Sequence, residues 1–179
     1  MFFYIIILGD NMNKLILLVF IVLFIDSMII IICKSFNNLT RLRNVLNSNY
    51  ADMNKELTFR IQLCTQYIPI ITPYVTIDKI NQLNTLINDF YLKVSVVELA
   101  NIYYKINALV VDINNELKTK GFSAPEWDKA FADSLSRIEA LRLIYDDNVL
   151  KMNNVVDMPG TSIVAKMFGF AKWPYFRNA

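Results

Sequence analysis

The side chains with a capacity for chemistry are few and scattered. Asp146 and Asp147 are neighbouring acids, Glu139 stands two helical turns before Asp146, Cys33 and Cys64 lie far apart, and no histidine occurs among the 179 residues. Paired carboxylates act as general acid and base only when they converge on one proton or one metal ion. Adjacent positions on a helix point about 100° apart, so Asp146 and Asp147 predict two solvated charges rather than a dyad. Glu139 and Asp146 form an ordinary charged pair. Two separate cysteines outside any CxxC arrangement lack the partners of a zinc site or an activated thiol. Cys33 reads as a residue at a membrane edge and Cys64 as a small core residue. The four glycines make no phosphate-cradling loop. The expectation is a protein that is not an enzyme, with no catalytic residues, no cofactor and no metal.

Recognition chemistry is better represented. Near the C-terminus Lys166, Lys172 and Arg177 stand among Phe168, Phe170, Trp173, Tyr175 and Phe176. Aromatic and basic groups together suit docking on a protein or a membrane surface, and the same aromatics suit closure of one end of a helical core. Lys34, Arg41, Arg43, Lys118 and Lys120 are the candidates for contact with lipid headgroups. Eighteen basic residues against sixteen acidic ones leave a net charge of +2, which is too weak a field for nucleic acid, and no face interleaves basic residues with exposed aromatics.

The elements that position these groups follow from the apolar pattern. Apolar residues make up 55% of the chain, and the excess sits near the N-terminus. Residues 15–33, LILLVFIVLFIDSMIIIIC, form a run long enough to cross a bilayer core of about 30 Å. Its one charge, Asp26, predicts neutralisation or a partner helix. Residues 1–14 hold a second apolar scrap, Phe2 to Leu8, and Met12 offers an alternative start. A cleaved signal fits poorly because the run is too long and lacks a small-residue site, and Ile30, Ile31 and Ile32 are unlike the small residues before a lipoprotein cysteine. Lys34, Arg41 and Arg43 after the anchor place the following domain in the cytoplasm, on a single-pass membrane protein.

Residues 34–158 predict three long helices. The first stripe runs Leu39, Leu42, Leu46, Tyr50, Met53, Leu57, Ile61, Cys64, Ile68, Ile71 and Val75, with Pro69 and Pro73 kinking or ending it. Thr76 opens a second helix with the stripe Ile80, Leu83, Ile87, Phe90, Val94, Val97, Asn101, Tyr104, Ala108 and Val111, carried on to Leu117 and closed by Gly121. Ser123, Pro125 and Glu126 open the third as a capping box, and Phe131, Leu135, Ile138, Leu141, Tyr145, Val149, Met152 and Val156 stripe it as far as Pro159-Gly160. No strand pattern of comparable length occurs. The fold class is all-α: a transmembrane helix, a long antiparallel three-helix bundle, and a tail, residues 159–179, packed on the bundle. Up-down-up order would bring the tail beside Ile68 and Pro69, away from the membrane, and Lys118 and Lys120 back toward Lys34, Arg41 and Arg43.

Several of these residues together resemble the LemA family of bacterial membrane-anchored helical proteins. Arg137-Ile138, Arg142, Tyr145, Val149, Asn153, Pro159, Ala165, Phe168-Gly169-Phe170 and Tyr175-Phe176 are similar to its C-terminal motifs. Asn37, Leu39, Arg41, Leu42, Arg43 and Asn44 resemble its post-anchor motif, and Ile68-Pro69 its LIPNL signature. The likeness runs from about Met12 to the end. The chain departs from the family at Leu63, Cys64 and Thr65, where paired basic residues are usual, at Ile70 and Ile71, and at Asp146, which replaces an asparagine. The resemblance implies an anchored three-helix bundle, and in some members a lipoprotein cysteine near the position of Cys33. Relatives are linked to membrane remodelling. Two functions follow as expectations: a structural protein that organises or remodels membrane through self-association as a homo-oligomer, or an adaptor that docks a membrane enzyme or protease through the end away from the bilayer.

Overall fold

The computed structural model describes the backbone of residues 2–92 and 95–177, with side chains from Lys14 onward. Val94 of the expected second stripe, the side chains of Phe2 to Leu8 and the last two residues of the tail lie outside the described residues. The described residues form five helices and no strand: α1 Phe2–Ile71, α2 Ile77–Leu92, α3 Val96–Thr119, α4 Pro125–Asp157 and α5 Thr161–Met167.

α1 joins the apolar run to the first amphipathic stripe without a break. Large apolar side chains from Leu15 to Ile31 are exposed, so none of the described residues covers them. One helix is therefore long and apolar enough to cross a membrane. The helix passes through Pro69 in its last turn and stops at Ile71, just ahead of Thr72-Pro73, where the residue before a proline is steered out of helical backbone.

The chain divides into two compact units. The first takes the chain up to Arg41 together with Asn154–Ala171. In it the Phe36 ring meets Phe168 at 4.8 Å and Phe170 at 5.8 Å between centroids, while Leu39, Val164 and Ala165 are buried. α5 ends where Gly169 takes φ 70° and the Phe170 N–H donates to the Ala165 carbonyl, a left-handed closure that glycine adopts without strain.

The second unit, Leu42–Asn153 with the segment from Lys172 onward, holds the main core. Leu46, Met53, Leu57, Ile61, Cys64 and Ile71 of α1 are buried, as are Leu83 of α2, Ile106 and Ile113 of α3, and Ile138, Val149 and Met152 of α4. Tyr50 meets Tyr145, Glu56 accepts from Arg137 at 2.8 Å, and Tyr67 stacks on Phe131 and Trp127. The partners descend α4 as they ascend α1. At the other pairing, Lys79 near the start of α2 binds Asp112 at 2.8 Å and Glu116 at 3.0 Å near the end of α3.

That pairing corrects the expected second helix. The stretch from Thr76 to Leu117 is two helices, because Ser95 caps α3 by accepting the Glu98 N–H at 3.2 Å. The break also resets the phase of the stripe. Val97, Asn101, Tyr104, Ala108 and Val111, expected inside, are exposed or half-buried, and Leu99, Tyr103, Ile106, Val110 and Ile113 are buried instead, while Leu117 is buried as expected. Doubling the second helix back on itself reverses the direction of everything after it. The α3–α4 turn therefore closes on the end of α1: Lys120 Nζ donates to the Tyr74 carbonyl at 2.8 Å, and Phe122 stacks on Tyr74. Lys120 consequently does not return toward Arg43, which lies about 42 Å back along α1 from Ile71. The third capping box is also displaced, since α4 begins at Pro125 with Ala124 before it.

Glu116 ties this turn together, accepting from Lys120, Lys79 and both the N–H and the hydroxyl of Thr76. The Lys120 hydrogen bond, then that of Lys79, hold its carboxyl down at about 2. A carboxyl lowered on folding stabilises the protein above its ordinary range and loses that contribution as pH falls through the folded value. Glu116→Gln is expected to remove part of the acid-induced loss of stability between about pH 4.5 and 2, read from urea unfolding midpoints across that range.

Cys64 is 1% exposed, and burial pushes its thiol up to about 11. At pH 8 in the folded protein it is expected to resist maleimide for hours and to react within minutes in denaturant. Intact mass after quenching checks this.

Candidate functional site

The groups capable of specific recognition gather where α3 and α4 receive the C-terminal segment. α4 presents Arg142, Tyr145, Asp146, Val149 and Asn153 on one face, at steps of three and four. Three of these hold the backbone of residues 173–176. Asn153 pairs with both backbone polar groups of Trp173, its Nδ2 donating to the carbonyl at 3.0 Å and its Oδ1 accepting the N–H at 2.8 Å. The Tyr145 hydroxyl donates to the Pro174 carbonyl at 2.9 Å, and Asp146 Oδ1 accepts the Phe176 N–H at 2.9 Å. The Phe176 side chain is fully buried, its ring 5.8 Å from Tyr103 and 6.4 Å from Tyr104.

A chain of polar contacts fixes the clamp from behind. Asp146 Oδ2 accepts from Arg142 at 3.3 Å, Arg142 donates to Glu139 at 2.8 Å, and Glu139 accepts from the Tyr103 hydroxyl at 3.4 Å. Burial raises the phenols of Tyr145 and Tyr103, the latter to about 12, so both stay protonated. Tyr145 therefore keeps its donor for Pro174 at any physiological pH. A protonated phenol and a paired carboxylate satisfy main-chain groups that would otherwise be buried unpaired.

Asp146 is thus not the solvated charge expected from its sequence. It is 9% exposed and serves the tail, whereas Asp147 faces outward and pairs with Lys151 at 2.6 Å. The candidate interaction residues separate into three places. Trp173 and Tyr175 are half-buried beside the clamp, with Arg177 lying over the Tyr175 ring at 4.4 Å. Phe168 and Phe170 pack on Phe36 in the other unit. Ile68 is half-buried and Pro69 exposed at the end of α1, where Tyr67 meets Trp127, and residues 173–176 are held elsewhere in the same unit, by Tyr145, Asp146 and Asn153. Phe176 likewise covers Tyr103 and Tyr104 rather than Ile68 and Ile71.

Of the membrane-surface candidates, Lys34, Arg41 and Arg43 are exposed on α1, with Arg41 donating to Asn38. Lys118 and Lys120 belong to the α3–α4 turn. Sequence reasoning passed over Asp146, Tyr103 and Tyr104 as recognition groups. None of the three carries a local signal of that role: Asp146 stands beside Asp147 on α4, and Tyr103 and Tyr104 belong to the α3 face whose phase the helix break conceals.

A shallow cleft of about 750 Å³ also opens between α2 and α3, lined by Asp78, Asn81, Gln82, Thr85, Lys105 and Asp112 among others. No group of three cysteine, aspartate or glutamate side chains suited to a metal ion occurs among the described residues. No protein-family model matches the chain, and no curated protein matches it.

Proposed function

We propose that this protein is a membrane-anchored, non-catalytic structural protein of the LemA type: a single-pass anchor carrying a helical bundle that organises membrane by self-association with further copies. The observation that carries this reading is α1, whose uncovered apolar stretch continues as one helix into the packed unit. Asp26 in the apolar run favours association, because a carboxyl in hydrocarbon gains from a neighbouring helix that offers a hydrogen bond. In this reading Lys34, Arg41 and Arg43 lie at the cytoplasmic headgroups, and the bundle is cytoplasmic. No cofactor and no nucleic acid take part.

Chemical cross-linking of the full chain at native abundance in membranes tests it. Dimers and larger species are expected, and a return of monomer alone would refute self-association. Sidedness is read from Asn84→Cys, an exposed position on α2, rather than from buried Cys64. Labelling by an impermeant maleimide only after the membrane is opened from the cytoplasmic side is the expected result.

An adaptor role for a membrane enzyme or protease is the second reading. Ile163, Met167 and Phe168 favour it, because they are exposed together on and beside α5. Charged substitutions at Ile163 and Met167 would then lose a co-purifying membrane protein while cross-linked dimers persist.

A further inference from the structure

The clamp reads main chain. Asn153, Tyr145 and Asp146 all address backbone groups of residues 173–176, and one side chain, Phe176, fills a pocket. This is how a receptor holds an extended peptide, with backbone pairing for affinity and one anchor for selectivity. Pro174 fits the same logic: it has no N–H to satisfy, and the clamp uses only its carbonyl. Nothing in these contacts depends on which chain supplies the peptide.

The route to the tail is jointed. Residues Asn154–Ala171 group with the first part of α1 rather than with the clamp. Gly160 at φ 90° and Gly169 at φ 70° bracket α5, and neither has a neighbour within 4 Å of its open side. Beyond them Phe170 is buried against Phe36, and the exposed, non-helical Ala171 and Lys172 join it to the clamped Trp173, so residues 173–176 can be re-aimed from this two-residue link without repacking a core. Exchange of an identical segment between copies remakes every contact it breaks, so little free energy opposes it beyond the entropy of association. An anchor that confines copies to one surface raises their effective concentration and lowers that entropic barrier.

We propose that the groove formed by Tyr103, Tyr104, Tyr145, Asp146 and Asn153 is a peptide-recognition site that also receives residues 173–176 of a second copy, so that neighbouring anchored chains are linked by exchanged tails. The proposal rests on the self-association reading and names its contact. The second copy is the occupant because its Trp-Pro-Tyr-Phe segment has the fit this groove already displays.

The test uses two full-length chains with different epitope tags in one membrane. In one of them Tyr175 is replaced by the photoreactive aromatic benzoylphenylalanine. Illumination is expected to give a covalent dimer joining both tags, with the cross-link in receiving-copy peptides that contain Tyr103 and Tyr104 or span Tyr145 to Asn153. Phe176→Ala in the photoreactive copy is expected to cut that product at least tenfold. Asn153→Ala in the receiving copy is expected to do the same, which covers the case in which one variant alters folding. Photoproducts confined to single chains, or cross-tag dimers mapping outside the groove, would overturn the exchange. Lysine cross-linking of wild-type copies separates the two levels: dimers by that route with only intrachain photoproducts would leave self-association standing and remove the exchange, and absence of both would remove both.

Discussion

Arg60→Ala is expected to lower the unfolding free energy by about 3–4 kcal/mol, and Arg60→Met by only about 1–2 kcal/mol. Arg60 is 4% exposed about three turns before the end of α1, where it ties three helices together. Its Nε donates to Asn107 Oδ1 of α3 at 2.8 Å, its Nη1 donates to the Phe131 carbonyl of α4 at 2.8 Å, and the guanidinium lies 5.2 Å from the Phe131 ring centroid. Burial lowers its pKa, yet guanidinium remains charged at any pH the fold survives. No carboxylate pairs with it among the described contacts, so the cation rests on neutral acceptors and a ring face. Removing the charge recovers desolvation energy, and this sets the order of the variants. Alanine leaves a cavity and the Asn107 acceptor unserved. Methionine fills the volume of the stem and forfeits only the hydrogen bonds. Lysine is expected to be worse than methionine: a compact ammonium is more strongly hydrated than guanidinium and cannot reach both acceptors in one geometry. Guanidinium chloride unfolding of the three variants in detergent micelles gives the order directly. Lysine closer to wild type than methionine would mean that charge, rather than shape and planar donors, is what the site requires.

How Arg60 came to this position shows what the sequence could disclose. It stands between Leu57 and Ile61 on the apolar stripe of α1, so a local reading places it inside but names no acceptor. Its partners arrive from far along the chain, and their arrival depends on the direction of α3 and α4. The stripes of α1 and α4 were largely legible because each is one uninterrupted helix: Leu46, Met53, Leu57, Ile61, Cys64, Ile138, Tyr145, Val149 and Met152 are buried where the period puts them, although Leu135 of the expected α4 stripe is 40% exposed. The stripe after Phe90 was not, because apolar residues continue at helical spacing through the break and conceal it. The local signal lay in Ser95 and Glu98, a serine followed three residues later by a glutamate, which marks a helix start. Missing that one cap moved Val111, 60% exposed, into the expected core, and reversed the expected course of α4. The clamp was out of reach for a related reason. Asp146 is buried only because the tail comes down on it, and a carboxylate next to Asp147 carries no local sign of such a partner.

Phe176→Ala is expected to free the tail without melting the helices. The fully buried ring contributes about 3 kcal/mol to closure of the segment, so the open population should rise about a hundredfold, since each 1.4 kcal/mol is a factor of ten. Trypsin reads this directly, because the bond after Lys172 lies next to the clamped Trp173 and becomes a substrate when the clamp opens. Asp146→Ala removes the acceptor for the Phe176 N–H and should raise the same cleavage rate ten- to thirtyfold, about 1.5–2 kcal/mol. Asp146→Asn keeps an acceptor oxygen in place and loses only the charge toward Arg142, so it should change the rate by less than fivefold, about 1 kcal/mol. Combining Phe176→Ala with Asp146→Ala gives the deciding measurement. A segment that opens by itself can lose no more than its whole closing free energy, so cleavage must reach a ceiling, the intrinsic rate of the open segment, while helical circular dichroism and the urea midpoint of the bundle stay near those of Phe176→Ala alone. A midpoint that instead fell by the full sum of both substitutions would make residues 173–176 part of the cooperative core. The distinction matters because only a segment that opens by itself, at a free energy below that of global unfolding, is available to leave its own groove and enter another.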